Sequence, residues 1–159
     1  IEHISLAAIM HDVGKISIPD AILSKPGRLT PEEFEIMKTH TTQGGQLLER
    51  IPQMMELPFF TYAYDIAKYH HERWDGRGYP EGRKGDDIPL WAQIVSIADV
   101  YDALVSPRCY KKAFSFEVAL GMIVSGECGV FNPNILACFR EIEGKLRTLY
   151  GSGPERLYE

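Results

Sequence analysis

The chain has 159 residues, 45% hydrophobic and 25% charged, a balance that indicates one soluble globular domain and excludes a disordered or low-complexity polymer. Its formal net charge of -5 excludes general binding of long nucleic acids, which relies on counterion release at a basic face, although bound divalent ions would reverse the sign locally and admit a small phosphate anion. No run of 18 apolar residues and no basic-then-apolar leader occurs, so no membrane insertion by this segment is expected. Cys109, Cys128 and Cys138 show neither zinc spacing nor a disulfide framework, and a cytoplasmic, reducing location is expected.

The predicted elements are all helical. Ile1 to Met10 is apolar on most sides and has no capping signal before it, so it reads as a helix entered midway and the chain as a domain cut from a longer protein. Pro19 to Leu29 is rich in turn formers. Thr30-Pro31-Glu32-Glu33 then supplies an N-cap, a proline at the first helical position and acids in the first turn. Phe34 to about Arg50 follows a helical pattern, but Gly44-Gly45 weakens it unless a close backbone contact needs them, and one helix or two short ones both fit. Further helices are expected from about Pro58 to Tyr69 and from Leu90 to Leu104, the latter with Ile94, Ile97, Ala98 and Tyr101 on one face. Ser115 to Val124 and Pro133 to Tyr150 complete the set. The connection over residues 72–89 is far longer than usual in a compact domain, and Trp74 and Tyr79 within it point to an ordered, functional loop.

Four of the five histidines carry the candidate chemistry: His11, followed by Asp12; His40; and the pair His70-His71, followed by Glu72. Imidazole and carboxylate are ligands for first-row transition metals, and a carboxylate such as Asp12 bridges two ions where a histidine cannot. Each candidate lies at or near the end or face of a different predicted helix, the way helical proteins assemble metal sites. His70 and His71 differ in direction by about 100° on an ideal helix and suit different ions or shells. Asp99, an acid flanked by apolar residues, reads as a further ligand because its burial is costly without a partner. Asp102 shares its face and reads as an outer-shell acceptor or salt-bridge partner.

His11-Asp12-Val13-Gly14-Lys15, Lys25-Pro26-Gly27-Arg28-Leu29-Thr30, and His70-His71-Glu72-Arg73-Trp74-Asp75-Gly76-Arg77-Gly78-Tyr79-Pro80 resemble the signature of the HD-GYP family. Ala98-Asp99-Val100-Tyr101-Asp102-Ala103-Leu104 and Ser106-Pro107-Arg108-Cys109-Tyr110-Lys111 extend the likeness, which runs from residue 1 to about 135. The resemblance implies an all-α HD-domain bundle with the motif loop Gly78, Tyr79, Pro80. It also implies a phosphodiesterase that hydrolyses cyclic di-GMP to pGpG or GMP through a metal-activated bridging water. It places two or three divalent transition-metal ions, iron or manganese, on His11, Asp12, His40, His70, His71 and Asp99. Lys15, Arg108 and Lys111 would bind substrate, with Asp12 and Lys15 at the reacting centre. An upstream receiver or other sensory domain is expected on the same ground, and the sequence leaves open whether the protein forms a homodimer.

Two departures stand out. The family carries a further metal-binding histidine upstream of the His-Asp pair, and His3 is no substitute, lying about 12 Å along a helix from His11. Without that ligand the isolated chain is expected to fold but to turn over poorly. Phe131-Asn132-Pro133 stands where the family has Phe-Asp-Pro, a change expected to alter only a helix cap. The readings that rival a cyclic di-GMP hydrolase are a catalytically impaired sensory or interaction module that binds a dinucleotide or partner domain, and an HD hydrolase of other phosphoesters.

Overall fold

A computed structural model describes residues 1–107 and 113–150, except the side chains of Leu149 and Tyr150. The described residues form eight α-helices and no strand, as the sequence predicts. These are α1 (Glu2–Ala8), α2 (Asp20–Leu23), α3 (Pro31–Glu49), α4 (Pro52–Met55), α5 (Phe60–Tyr69), α6 (Leu90–Val105), α7 (Phe116–Ser125) and α8 (Pro133–Tyr150). The chain divides into two compact units, Ile1–Ser96 and Ile97–Glu159. None of the described helices is long and apolar enough to cross a membrane.

In the first unit the start of α3 follows from its sequence. The Thr30 side chain accepts from the Glu33 amide while the Glu33 carboxylate accepts from the Thr30 amide, a reciprocal capping box, with Pro31 at the first turn. Gly44 and Gly45 do not break this helix, which runs unbroken to Glu49. Both glycines are buried, and a Cβ at Gly14 would overlap the His40 carbonyl and the Gly44 amide. The backbone after Asp12 therefore lies directly on α3. Ala63 and Ala67 of α5 pack with Ala7, Leu48, Ile66 and Val95 in the core that joins α1, α3, α5 and the first turns of α6. The Trp91 ring packs edge-on against Tyr62 at 4.7 Å, and its indole N–H donates to Asp65 at 2.9 Å.

Several short elements lie outside the predicted set. Val13–Ser17 forms a 3-10 turn, and α2 occupies part of the stretch read as turns. α4 is likewise a single turn opened by Pro52. The face expected on α6 is corrected in part: Ile97 and Tyr101 are buried, but Ile94 is 40% exposed and Ala98 is exposed. Apolar residues occur on every side of this helix, so spacing alone leaves the buried face undetermined.

In the second unit Ile97, Tyr101, Leu104, Val105, Ala119, Ile123, Phe131 and Phe139 form the core. Ser115 caps α7 by accepting from the Val118 amide, and Gly126 closes it in the left-handed region with φ 80°. Asn132 accepts from the Asn134 amide at 2.9 Å, so asparagine does serve as the cap expected at that position. Cys138 is an exposed free thiol, and Cys109 lies outside the described residues.

Candidate metal centre

Three elements of the first unit bring the candidate ligands together. The turn after α1 carries His11 and Asp12, the middle of α3 carries His40, and the end of α5 carries His70 and His71. Asp12, His40, His70 and His71 each place one ligand atom so that all four atoms lie within 4.8 Å of one another. His11 borders the group: its Nε2 is 3.3 Å from Asp12 Oδ2, and its ring stands edge-on to His70 at 5.2 Å. His40 and His70 are 1% and 0% exposed, burial that an imidazole bears only with partners.

Hydrogen bonds at the opposite ring nitrogen decide what these imidazoles offer. Nδ1 of His11 lies 2.8 Å from the Ala8 carbonyl, Nδ1 of His40 lies 2.7 Å from the Met37 carbonyl, and Nδ1 of His70 lies 2.8 Å from the Ile66 carbonyl. A carbonyl only accepts, so each Nδ1 bears a proton and each ring, when neutral, presents the Nε2 lone pair inward. This is the outer-shell arrangement that orients metal-binding histidines. His70 Nε2 is buried and makes no hydrogen bond among the described residues. Burial, reinforced by His11 nearby, pushes the His70 pKa down to about 3. Burial and the neighbouring His70 and His40 likewise hold His71 well below the usual histidine range. Both rings are neutral at neutral pH.

Asp12 faces two ways. Its Oδ1 lies 3.4 Å from His40 Nε2 and 3.9 Å from His70 Nε2, while its Oδ2 meets His11 Nε2 and, at 2.5 Å, Lys15 Nζ. Burial opposes its ionisation, but hydrogen bonds from His11 and Lys15 outweigh that and hold the carboxyl far below the usual range. The donor set, the inward lone pairs and the buried Nε2 of His70 fit divalent transition-metal ions. The structure thus groups Asp12 with His11, Lys15, His40, His70 and His71. Asp99 stands half-buried on α6 in the second unit, Asp102 is exposed and accepts from Ser106 Oγ at 3.1 Å, and Arg108 and Lys111 lie outside the described residues.

Glu72 was visible in the sequence only as the neighbour of the His70-His71 pair. Glu72, 2% exposed, accepts through its carboxylate from the backbone amides of Glu81 at 2.8 Å and Arg83 at 3.0 Å. It thereby pins the far side of the loop. On the near side the Tyr79 amide donates to the His71 carbonyl at 3.2 Å, and Gly78 sits so tightly against Glu72 and Arg73 that a Cβ would overlap their backbone. The result is Tyr79 stacked on His71, ring centroids 4.7 Å apart and planes at 26°. Arg73 closes the end of α5 by donating to the Glu72 carbonyl and to Ser96 Oγ. The signal lay in an acid buried in a glycine-rich loop, but its partners are amides 9 and 11 residues on, which no side-chain pattern reveals.

A family model described as HD domain matches residues 2–135. A cyclic di-GMP phosphodiesterase of Thermotoga maritima is 45% identical over 150 residues, covering 94% of this chain and 40% of that protein. A 3'3'-cGAMP-specific phosphodiesterase 2 of Vibrio cholerae is 40% identical over 149 residues, covering 94% of this chain and 28% of that protein. Among solved structures, Bd1817, an HDG"Y"P protein from Bdellovibrio bacteriovorus, superposes with a TM-score of 0.68 at 22% identity, covering 91% of this chain and 43% of that one. This chain spans well under half the length of these proteins, and the superposition bears on the fold.

Proposed function

The chain belongs to the HD-domain family, and from this membership we propose that it is the hydrolytic module of a metal-dependent phosphodiesterase acting on a cyclic dinucleotide, cyclic di-GMP first, giving pGpG, GMP or both. The observation that carries this reading is the two-sided Asp12 among three imidazoles, those of His11, His40 and His70, whose Nδ1 atoms are committed to backbone carbonyls. Asp12, His40, His70 and His71, with His11 beside them, would hold the divalent ions. When bound, divalent ions supply Lewis-acid charge and lower the pKa of water to near neutrality. Asp99 is proposed as a further ligand by its match to the family motif.

The chain's own groups do the rest. Lys15, held on Asp12 Oδ2, keeps that carboxylate ionised and offers its ammonium to a non-bridging phosphoryl oxygen. Burial keeps His70 and His71 unprotonated, so they take no proton from the reaction. Tyr79 packs over His71 and covers it from solvent. Arg108 and Lys111 are proposed to bind the phosphodiester, an iron or manganese identity is proposed for the ions, and an upstream sensory domain, a homodimer and a cytoplasmic location belong to the same reading.

The test is turnover of cyclic di-GMP by the manganese- or iron-loaded protein, with products resolved by chromatography and Asp12→Asn as the control. Metal-dependent release of pGpG or GMP, lost in the variant, is the expected result. Tight binding of the dinucleotide without any turnover would replace the enzyme by a sensory module.

A further inference from the structure

Beside the metal cluster the first unit leaves an aromatic side chain in solvent. Phe34, on the second turn of α3, is 46% exposed, although Tyr79 stands edge-on to it at 6.3 Å with planes at 84°. The ammonium of Lys38, one turn further along the same face, lies over both rings, 5.7 Å from the Phe34 centroid and 5.8 Å from that of Tyr79. Glu35 holds this ammonium at 2.8 Å. The rings form a series leading outward from the ligands: His71 stacked on Tyr79, then Tyr79 against Phe34. Phe34 precedes His40 by six residues, about 9 Å along the helix axis, a spacing of the order set by the ribose between a phosphodiester and its base.

An edge-on partner does not cover a ring, and a phenylalanine left nearly half in water gains free energy when a flat ligand stacks on it. The cation beside it chooses among flat ligands. Lysine donates well to the O6 and N7 acceptors of guanine, whereas adenine presents an amino group at the corresponding edge. We propose that Phe34 and Lys38 form a guanine-binding subsite, Phe34 stacking on the base and Lys38 donating to its O6 and N7, so that a phosphodiester at the metal cluster is engaged together with one of its bases. This rests on the phosphodiesterase reading above and adds to it the residues that choose the base.

The experiment uses the metal-loaded protein and the variants Phe34→Ala, Phe34→Trp and Lys38→Met. It measures kcat and KM for cyclic di-GMP and cyclic di-AMP, the inhibition constant of inorganic phosphate, and metal content. Phe34→Ala is expected to raise KM for cyclic di-GMP roughly tenfold, the scale of one base–aromatic stack, with a smaller change in kcat and no change in metal content or phosphate inhibition. Phe34→Trp should restore KM. Lys38→Met should reduce the preference for cyclic di-GMP over cyclic di-AMP. An unchanged KM in Phe34→Ala, or a loss of metal and phosphate affinity in parallel with KM, overturns the subsite. A parent protein that binds cyclic di-GMP without hydrolysing it, with Phe34→Ala weakening that binding, removes the enzyme reading and keeps the subsite. A parent that neither binds nor hydrolyses it removes both.

Discussion

Asp12 concentrates the electrostatics of the cluster in one carboxylate. Its oxygens face different imidazoles, so replacing it by asparagine leaves one oxygen to accept and removes the charge both sides depend on. Asp12→Asn is expected to lower bound metal at least tenfold, read by elemental analysis after dialysis, with circular dichroism unchanged; retention of full metal content would exclude Asp12 as a bridge. Glu72 makes a different prediction, because it touches loop amides and no ligand. Glu72→Ala leaves the Glu81 and Arg83 amides without their acceptor, costing about 1–3 kcal/mol for each buried donor that water does not reach. It also loosens Tyr79 over His71, and metal affinity should fall on the order of tenfold, as for other outer-shell changes. Glu72→Gln, which keeps one acceptor oxygen, should lose less of both. Equal metal affinity in all three proteins would reduce Glu72 to a loop staple. Protonation supplies a third prediction, for the metal-free protein. His70 has a folded pKa of about 3 against about 6.5 unfolded, so the unfolded chain binds the proton more tightly. Stability is then fully present above pH 6.5 and falls progressively as pH drops from there toward 3. Urea midpoints in chelator should be lower at pH 5 than at pH 7.5, and His70→Ala should flatten that difference.

At the scale of elements, the site exists because the His11–Asp12 turn lies directly on α3. Gly14 makes that approach, and Gly14→Ala would drive a methyl into the His40 carbonyl and the Gly44 amide, both backbone atoms that cannot rotate away. We expect a loss of roughly 2 kcal/mol or more, seen as a lower melting temperature, together with weaker metal binding, whereas Gly121→Ala, inside α7 where nothing lies within 4 Å, should raise the melting temperature slightly and leave metal binding unchanged. Gly44-Gly45 left one helix or two open because helix propensity measures only local cost, and the long-range contact with Gly14 decided it. The Thr30-Pro31-Glu32-Glu33 start was readable because a cap is closed within four residues. The α6 face was not, since a helix apolar all round takes its orientation from whatever packs on it. The short α2 and α4 escaped notice for want of the two turns a periodicity needs. The candidate ligands were readable from residue type and motif, but the commitment of Nδ1 of His11, His40 and His70 to a carbonyl three or four residues back needed coordinates, as did the pinning of the loop by Glu72.

At the scale of the whole molecule, the described metal-cluster residues belong to the first compact unit, and each unit has its own hydrophobic cluster. An ion bound by His11, Asp12, His40, His70 and His71 ties the turn after α1 to α3 and α5, elements that the core of Ala7, Leu48, Ala63, Ile66 and Ala67 already holds. A ligand that binds only the folded state stabilises it by mass action, about 2.7 kcal/mol when its free concentration is a hundredfold above its dissociation constant. Opening of the segments that carry the ligands is what such an ion opposes most directly. Adding manganese to the metal-free protein should therefore slow amide hydrogen exchange most in residues 11–17, α3 and α5, and least in α7 and α8. A uniform slowing along the chain would show that the two units open as one. Absence of any slowing in α3 and α5 would show that the clustered histidines hold no ion, and would leave their inward-facing nitrogens to be explained by another ligand.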